Sequence, residues 1–230
     1  MADFGLMIGP LPEARTTRRL SALLQRLMPR GSHSLTELMY ASLPGHTPYT
    51  DVPTPSAGLA WRRSVAALDA LIVVAPTHTR SIPGVLKNAL DWAGADGTPG
   101  ALRGMPVAIA GAAAPGAGTF ASLQHLRTVL LDSGAVLLGQ PERTFEVPDG
   151  SLTDDGTCSD VELFHDVEEF LRAAVGHAVH EMRASGREPS PALIAPPSPL
   201  AGMARPAPSV PQSPEVGIPL ATRAGASAPI

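Results

Sequence analysis

Ala70 to Ala75 reads A-L-I-V-V-A without a polar break, and no other stretch limits the possible folds as tightly. A half-solvated strand alternates apolar with polar residues. An unbroken β-branched run is a strand covered on both faces, as in a parallel sheet held between two layers of helix. Pro76 ends the run, and a short polar loop follows: Thr77, His78, Thr79, Arg80 and Ser81. Pro83 and Gly84 then open a helix carrying Val85, Leu86, Ala89, Leu90 and Trp92. In an open α/β sheet, loops at the carboxyl ends of the strands are where ligands bind.

The same strand–loop–helix unit repeats along the chain. Phe4 to Ile8 predicts a first strand, followed by the loop 9–17 and a helix from about Thr17 to Met28 with Leu20, Leu23, Leu24 and Leu27 at helical spacing. Arg15, Thr16 and Thr17 stand at the mouth of that helix, where free N–H groups and the positive dipole end attract anions, phosphate in particular. Ser34 to Tyr40 predicts a second strand nearer an edge, and Leu59 to Leu68 the helix that leads into Ala70. Met105 to Ala110 predicts a fourth strand opening into the loop 111–119. Gly111, Ala112, Ala113 and Gly116 leave that loop almost bare of side chain, so a flat ligand can lie against its backbone. A helix over 120–131 ends at Gly134, Ala135 to Leu138 predicts the fifth strand, and 163–180 a last amphipathic helix. This alternation predicts a doubly wound, five-stranded parallel sheet of order 2-1-3-4-5 with helices on both faces. In that order the loops 9–17, 76–81 and 111–119 are neighbours, and one ligand touching all three is the economical explanation.

Composition narrows the partners. From about Ser185 the chain is mostly Pro, Ala, Ser and Gly, too poor in apolar surface to offset its conformational entropy. We therefore expect one domain over 1–184 and a disordered tail over 185–230. A net charge of −4 with no basic block argues against nucleic acid. No apolar run approaches the roughly 20 residues needed to span a bilayer, and no signal pattern opens the chain, so a soluble, cytoplasmic protein is expected. Cys158 is the one cysteine and lies in a polar loop, as a bystander thiol rather than a nucleophile. His177, His180 and Glu181 share helical spacing, but ligands from elsewhere are not evident, and a plain helix surface is the favoured expectation over a metal site. Neither a Gly-x-Ser-x-Gly elbow nor a Walker A loop is present.

The stretch Pro76 to Trp92 resembles the signature of the NADPH-dependent FMN reductase family, flavodoxin-like proteins that include quinone, chromate and azo reductases. Pro76, Ser81, Pro83, Gly84, Leu86, Lys87, Asn88, Ala89, Asp91 and Trp92 match the pattern P-E-Y-N-x-S-x-P-G-x-L-K-N-A-x-D-W without a gap. The likeness continues through G-M-P-V-A-I-A-G and covers most of residues 4–180. It implies an FMN-dependent oxidoreductase: hydride from NADPH or NADH to flavin, then to a small-molecule acceptor such as a quinone, another oxidant or free flavin. It also implies a homodimer or homotetramer. The cofactor would be held by Gly9, Arg15, Thr16 and Thr17 from the first loop. Pro76, Thr77, His78, Thr79, Arg80 and Ser81 would contribute from the second, and Gly111, Ala112, Ala113 and Gly116 from the third. No residue is assigned as a dedicated acid or base, because the hydride chemistry belongs to the cofactor.

Departures fall in the loops. The family's Glu-Tyr-Asn corresponds to Thr77, His78 and Thr79, where a flat ring and two hydroxyls remain. Its first loop, roughly G-S-x-R-x-x-S-x-N, keeps only Gly9; Pro10, Pro12, Arg15 and Thr17 stand at the other defined positions. Pro10 also removes a backbone donor. The alternative reading is a flavodoxin-fold protein with a degraded phosphate loop, acting in binding or assembly without catalysis. Lys87 and Asn88 are expected in helix packing or subunit contacts, and Trp61 and Trp92 in the core or at an interface.

Overall fold

The computed structural model describes residues 2–11, 13–28, 33–47, 53–94 and 100–186. All but the first two residues of the expected tail, and Pro12, lie outside them. Strands β1 (Ala2–Ile8), β2 (His33–Glu37), β3 (Ala70–Ala75), β4 (Pro106–Ala113) and β5 (Val136–Leu137) pair in parallel in the order β2-β1-β3-β4-β5. This is the expected doubly wound order. Helices α1 (Ala14–Leu27) and α5 (Val161–Ala184) cover one face; α2 (Ser56–Ala66), α3 (Gly84–Gly94) and α4 (Phe120–Asp132) cover the other.

The unbroken apolar run becomes β3, buried along its whole length. Ala70, Ile72 and Val74 join the core under α1 and α5, while Leu71, Val73 and Ala75 join the core under α2, α3 and α4. Period-two geometry thus sends alternate residues into two cores, and both must be apolar. Full burial of the leucine, isoleucine and valine side chains among them stabilises by about 1.5–3 kcal/mol each.

A sixth strand, β6 (Arg143–Glu146), was not expected from the sequence. It pairs with β4 beyond β5, with Ala110 opposite Arg143 and Ala113 opposite Glu146. Between the two pairings β4 advances three residues, from Val107 to Ala110, while its partner advances six, from Leu137 to Arg143. Three residues are therefore looped out, and β5 and β6 are one interrupted edge. Phe145 anchors the second half, fully buried and packed edge-on against Phe170 of α5 with ring centroids 5.4 Å apart.

Several boundaries move outward. Helix α5 begins at Val161 rather than Leu163 because Asp160 is its N-cap, Oδ1 accepting the Leu163 N–H at 2.8 Å. Helix α1 begins at Ala14, three residues before the expected start at Thr17. Strand β4 continues to Ala113 rather than Ala110, because its ladder to β6 carries it there.

Candidate functional site

The carboxyl ends of β1, β3 and β4 open onto one edge of the sheet, and direct contacts tie their loops together. Gly9 follows β1; its N–H donates to Val74 O at 2.8 Å, and a Cβ there would lie 2.6 Å from Pro76 Cδ and 3.4 Å from Pro83 Cγ. Gly9 is thus a seam between the first two loops, with its amide spent inside the sheet. Thr77 reaches the third loop: its Oγ1 donates to Gly118 O at 3.1 Å and lies 3.1 Å from Ser122 Oγ.

The central loop folds into a two-residue turn. His78 N–H donates to Ser81 O at 2.8 Å and Ser81 N–H donates to His78 O at 2.9 Å. Thr79 and Arg80 at its tip have φ of 50° and 61°. Two successive non-glycine residues in the left-handed region cost roughly 1–2 kcal/mol each and persist only where the surroundings hold them. Thr77 holds the turn on one side. On the other, Ser81 Oγ lies 2.6 Å from His125 Nδ1 on α4. His78, Thr79 and Arg80 are exposed, and the turn does not use the tip N–H groups.

Below the first loop, Leu11 N–H donates to Thr17 Oγ1 at 2.9 Å, so Thr17 braces the loop rather than facing out of it. Helix α1 starts at Ala14, and its N-cap Glu13 makes no side-chain capping bond, which leaves the first N–H groups to an outside acceptor. This mouth opens on a cleft of about 200 Å³ lined by Leu11, Glu13, Thr16, Ala113, Ala114, Val147 and Asp149. Arg15 is exposed and does not line it. Its charge, with those of Arg19 and Arg18, acts on Asp154, whose carboxyl is held below the usual range first by the Arg19 hydrogen bond.

Of the expected third-loop residues, Gly111 and Ala112 are buried in β4. Space at Gly111 is taken by Thr119, since a Cβ there would lie 2.0 Å from Thr119 Oγ1, which hydrogen-bonds Thr144. The loop proper begins at Ala114, and exposed Gly116 donates its N–H to Glu146 Oε1 at 3.3 Å. Ala113, at the strand end, does line the cleft. The sequence offered no sign of Val147 and Asp149, which arrive through the unexpected β6, nor of the brace at His125. Leu11 and Glu13 lay inside a flagged loop but drew no notice.

The matched helix motif serves packing. Asn88 Oδ1 accepts His46 N–H at 2.7 Å and Asn88 Nδ2 donates to Pro44 O at 3.0 Å. Trp92 Nε1 donates to the same carbonyl at 2.7 Å, and Lys87 pairs with Asp91 one turn on. Trp61 and Trp92 are both core residues. Elsewhere, His177 Nε2 contacts Val136 O at 2.8 Å and its Nδ1 lies 4.0 Å from Glu181. Among the described residues no group of three or more His, Cys, Asp or Glu is placed to hold a metal ion. Burial pushes the Cys158 thiol up, away from the reactive thiolate.

The NADPH-dependent FMN reductase model matches residues 4–147. A 2-hydroxy-1,4-benzoquinone reductase of Burkholderia sp is 34% identical over 137 residues, 60% of this chain and 74% of that protein. An NAD(P)H-dependent FMN reductase of Pseudomonas aeruginosa is 35% identical over 108 residues, 44% of this chain and 57% of that protein. Among solved structures, FerB, a flavoenzyme NAD(P)H:(acceptor) oxidoreductase from Paracoccus denitrificans, superposes with a TM-score of 0.67. It is 25% identical, over 77% of this chain and 99% of that one. All three are named for oxidoreductase activity, which speaks for catalysis and lends nothing to a purely binding or assembly role. The matched signature, the 2-1-3-4-5 sheet and the converging loops lead to one statement: the chain belongs to the NADPH-dependent FMN reductase family, as an FMN-dependent NAD(P)H oxidoreductase of flavodoxin-like fold.

Proposed function

We propose that this enzyme takes hydride from NADH or NADPH and passes it, through flavin, to a quinone-type acceptor. The observation that carries this reading is the turn His78–Ser81, held in a strained left-handed conformation at the carboxyl end of the central strand. Strain of that kind, braced from both sides, fixes a turn whose own bonds run between His78 and Ser81 and leave the N–H groups of Thr79 and Arg80 for a ligand. Such groups suit the hydrogen-bonding edge of a flavin ring, and they survive the change of side chains to Thr77, His78 and Thr79.

The residues present fit the cofactor. The uncapped mouth of α1 offers free N–H groups to a phosphate, and the small side chains of Ala113 and Ala114 leave room opposite. Arg15 and Thr16 would serve the phosphate end, with Thr17 and Gly9 holding that loop. Pro76 to Ser81 would meet the ring edge, and Ala113 with the Gly116 loop would close the third side. Gly111 and Ala112 shape the strand beneath. Bound flavin supplies the hydride chemistry; the protein orients donor and acceptor in turn over one surface. Quinone as acceptor rests on the named activity of the Burkholderia relative.

We further propose a homodimer or homotetramer, consistent with Phe120, Leu131 and Val85 standing exposed on α4 and α3. A cytoplasmic setting fits a described chain in which no helix is long and apolar enough to cross a membrane. The test is spectroscopic. Purified protein with FMN should show bands near ~370 and ~450 nm that bleach with NAD(P)H and return on adding benzoquinone. A protein that gains neither colour nor thermal stability with excess FMN would overturn the reading.

A further inference from the structure

The central turn is tied to one helix at two points. Thr77, which enters the turn, lies 3.1 Å through its Oγ1 from Ser122 Oγ. Ser81, which leaves it, lies 2.6 Å through its Oγ from His125 Nδ1. Ser122 and His125 stand one helical turn apart on α4, neighbours on a single face. The helix itself is fixed, because Leu123, Leu126 and Leu130 share one core with Val73 and Ala75 of β3. Ser122 is fully buried and also donates to Thr119 O at 2.8 Å, so that anchor belongs to the packed interior. His125 is exposed, and the core under α4 is complete without it. Its tie to Ser81 is a bond that packing does not require.

Between these anchors Thr79 and Arg80 hold φ of 50° and 61°, a conformation that persists only where its surroundings impose it. The two backbone bonds between His78 and Ser81 close the turn but move with it as a unit, so they do not set its direction. Direction comes from contacts to a rigid element, and α4 supplies them on both sides. A single exposed hydrogen bond adds little to global stability. A turn left free to swing on one side must nevertheless be ordered again each time a ligand binds.

We propose that His125 is a positioning residue for the redox chemistry. Through its hydrogen bond with Ser81 Oγ it fixes the turn so that the Thr79 and Arg80 N–H groups meet the hydrogen-bonding edge of bound FMN, and thereby raises the potential at which that FMN is reduced. This rests on the flavin-site reading above and adds to it a residue from outside the three loops. Hydride uptake adds one negative charge to the bound ring system. Donors held against its edge stabilise that charged form more than the neutral one. Donors that swing lose most of this preference, because the gain depends on their being in place beforehand.

The discriminating experiment compares His125→Leu, which removes the bond, with His125→Asn, whose amide stands as many bonds from the backbone as Nδ1 and can restore it. In the protein without flavin, amide hydrogen exchange at His78 and Ser81 should quicken about tenfold in His125→Leu and stay within about twofold of the parent in His125→Asn. The urea midpoint should match the parent in both variants. With FMN as the probe, His125→Leu should weaken binding of reduced FMN about tenfold more than of oxidised FMN. That difference is a fall of about 30 mV in the two-electron midpoint potential, and His125→Asn should recover it. Should His125→Leu lower the urea midpoint, Ser81→Ala removes the same bond from the other side and must reproduce the fall in potential, or the proposal fails. An unchanged potential in His125→Leu, whether or not exchange quickens, would overturn the proposal while keeping the flavin site. A parent protein that binds no FMN would overturn the flavin site and the proposal together.

Discussion

Thr79 and Arg80 occupy backbone conformations that favour glycine, and neither is glycine. Replacing Thr79 by Gly should therefore relieve strain and raise unfolding stability by about 1 kcal/mol, read as a higher urea midpoint. The same change frees the turn, so flavin affinity should fall severalfold; a variant no more stable than the parent would show that the turn is not strained. At this scale the sequence revealed residue types but not directions. It marked Thr77 as a donor toward a ligand, and the structure turns that hydroxyl to Gly118 O and Ser122. It marked Gly111 as open backbone, and Thr119 fills the space. Composition tells what a side chain can do, but the neighbour it meets is decided by contacts eight to 45 residues away.

Elements were far more legible, because burial on two faces leaves a pattern that local chemistry does not obscure. Strands β1, β3 and β4 and all five helices follow from apolar periodicity, with ends displaced where a cap or a ladder, rather than an apolar residue, sets the limit. The exception is β6: Arg143, Thr144 and Glu146 flank one buried Phe145, too short and too charged to register. Helix α3 shows what a strong motif can conceal. Its Asn88 does no redox chemistry here; it clamps the 43–47 segment to the helix through His46 N–H and Pro44 O. Asn88→Ala leaves the His46 amide without that acceptor and should cost about 1–3 kcal/mol in a denaturant titration. Cleavage by added protease should appear within 43–47, with the flavin site intact; an unchanged cleavage pattern would remove the clamp from the account.

At the scale of the whole molecule, the edge strand β2 carries an ionisable weak point. His33 of β2 is buried edge-on against Phe4 with a centroid separation of 5.8 Å, and neither ring nitrogen has a partner among the described residues. Burial first, and the charge of the chain terminus second, hold its pKa below the ordinary 6.5. Above pH 6.5 neither folded nor unfolded chain carries this proton. As the pH falls through 6.5 the unfolded chain takes it up while the fold resists, so stability declines until the folded pKa is passed. The midpoint of urea unfolding should fall between pH 7 and pH 5, and His33→Leu should flatten that slope; an equal slope in the variant would place the loss elsewhere. Fold class and sheet order were readable at this scale, whereas the stretch beyond Gly186 lies outside the described residues. The interrupted edge formed by β5 and β6 has a consequence for how such a protein diversifies. Its looped-out residues absorb changes of length without shifting the register of β1, β3 and β4. The wall that delivers Val147 and Asp149 can therefore be rebuilt while the central turn stays fixed. Ligand preference is free to drift along the rim of the sheet, and the geometry of hydride transfer is insulated from that drift.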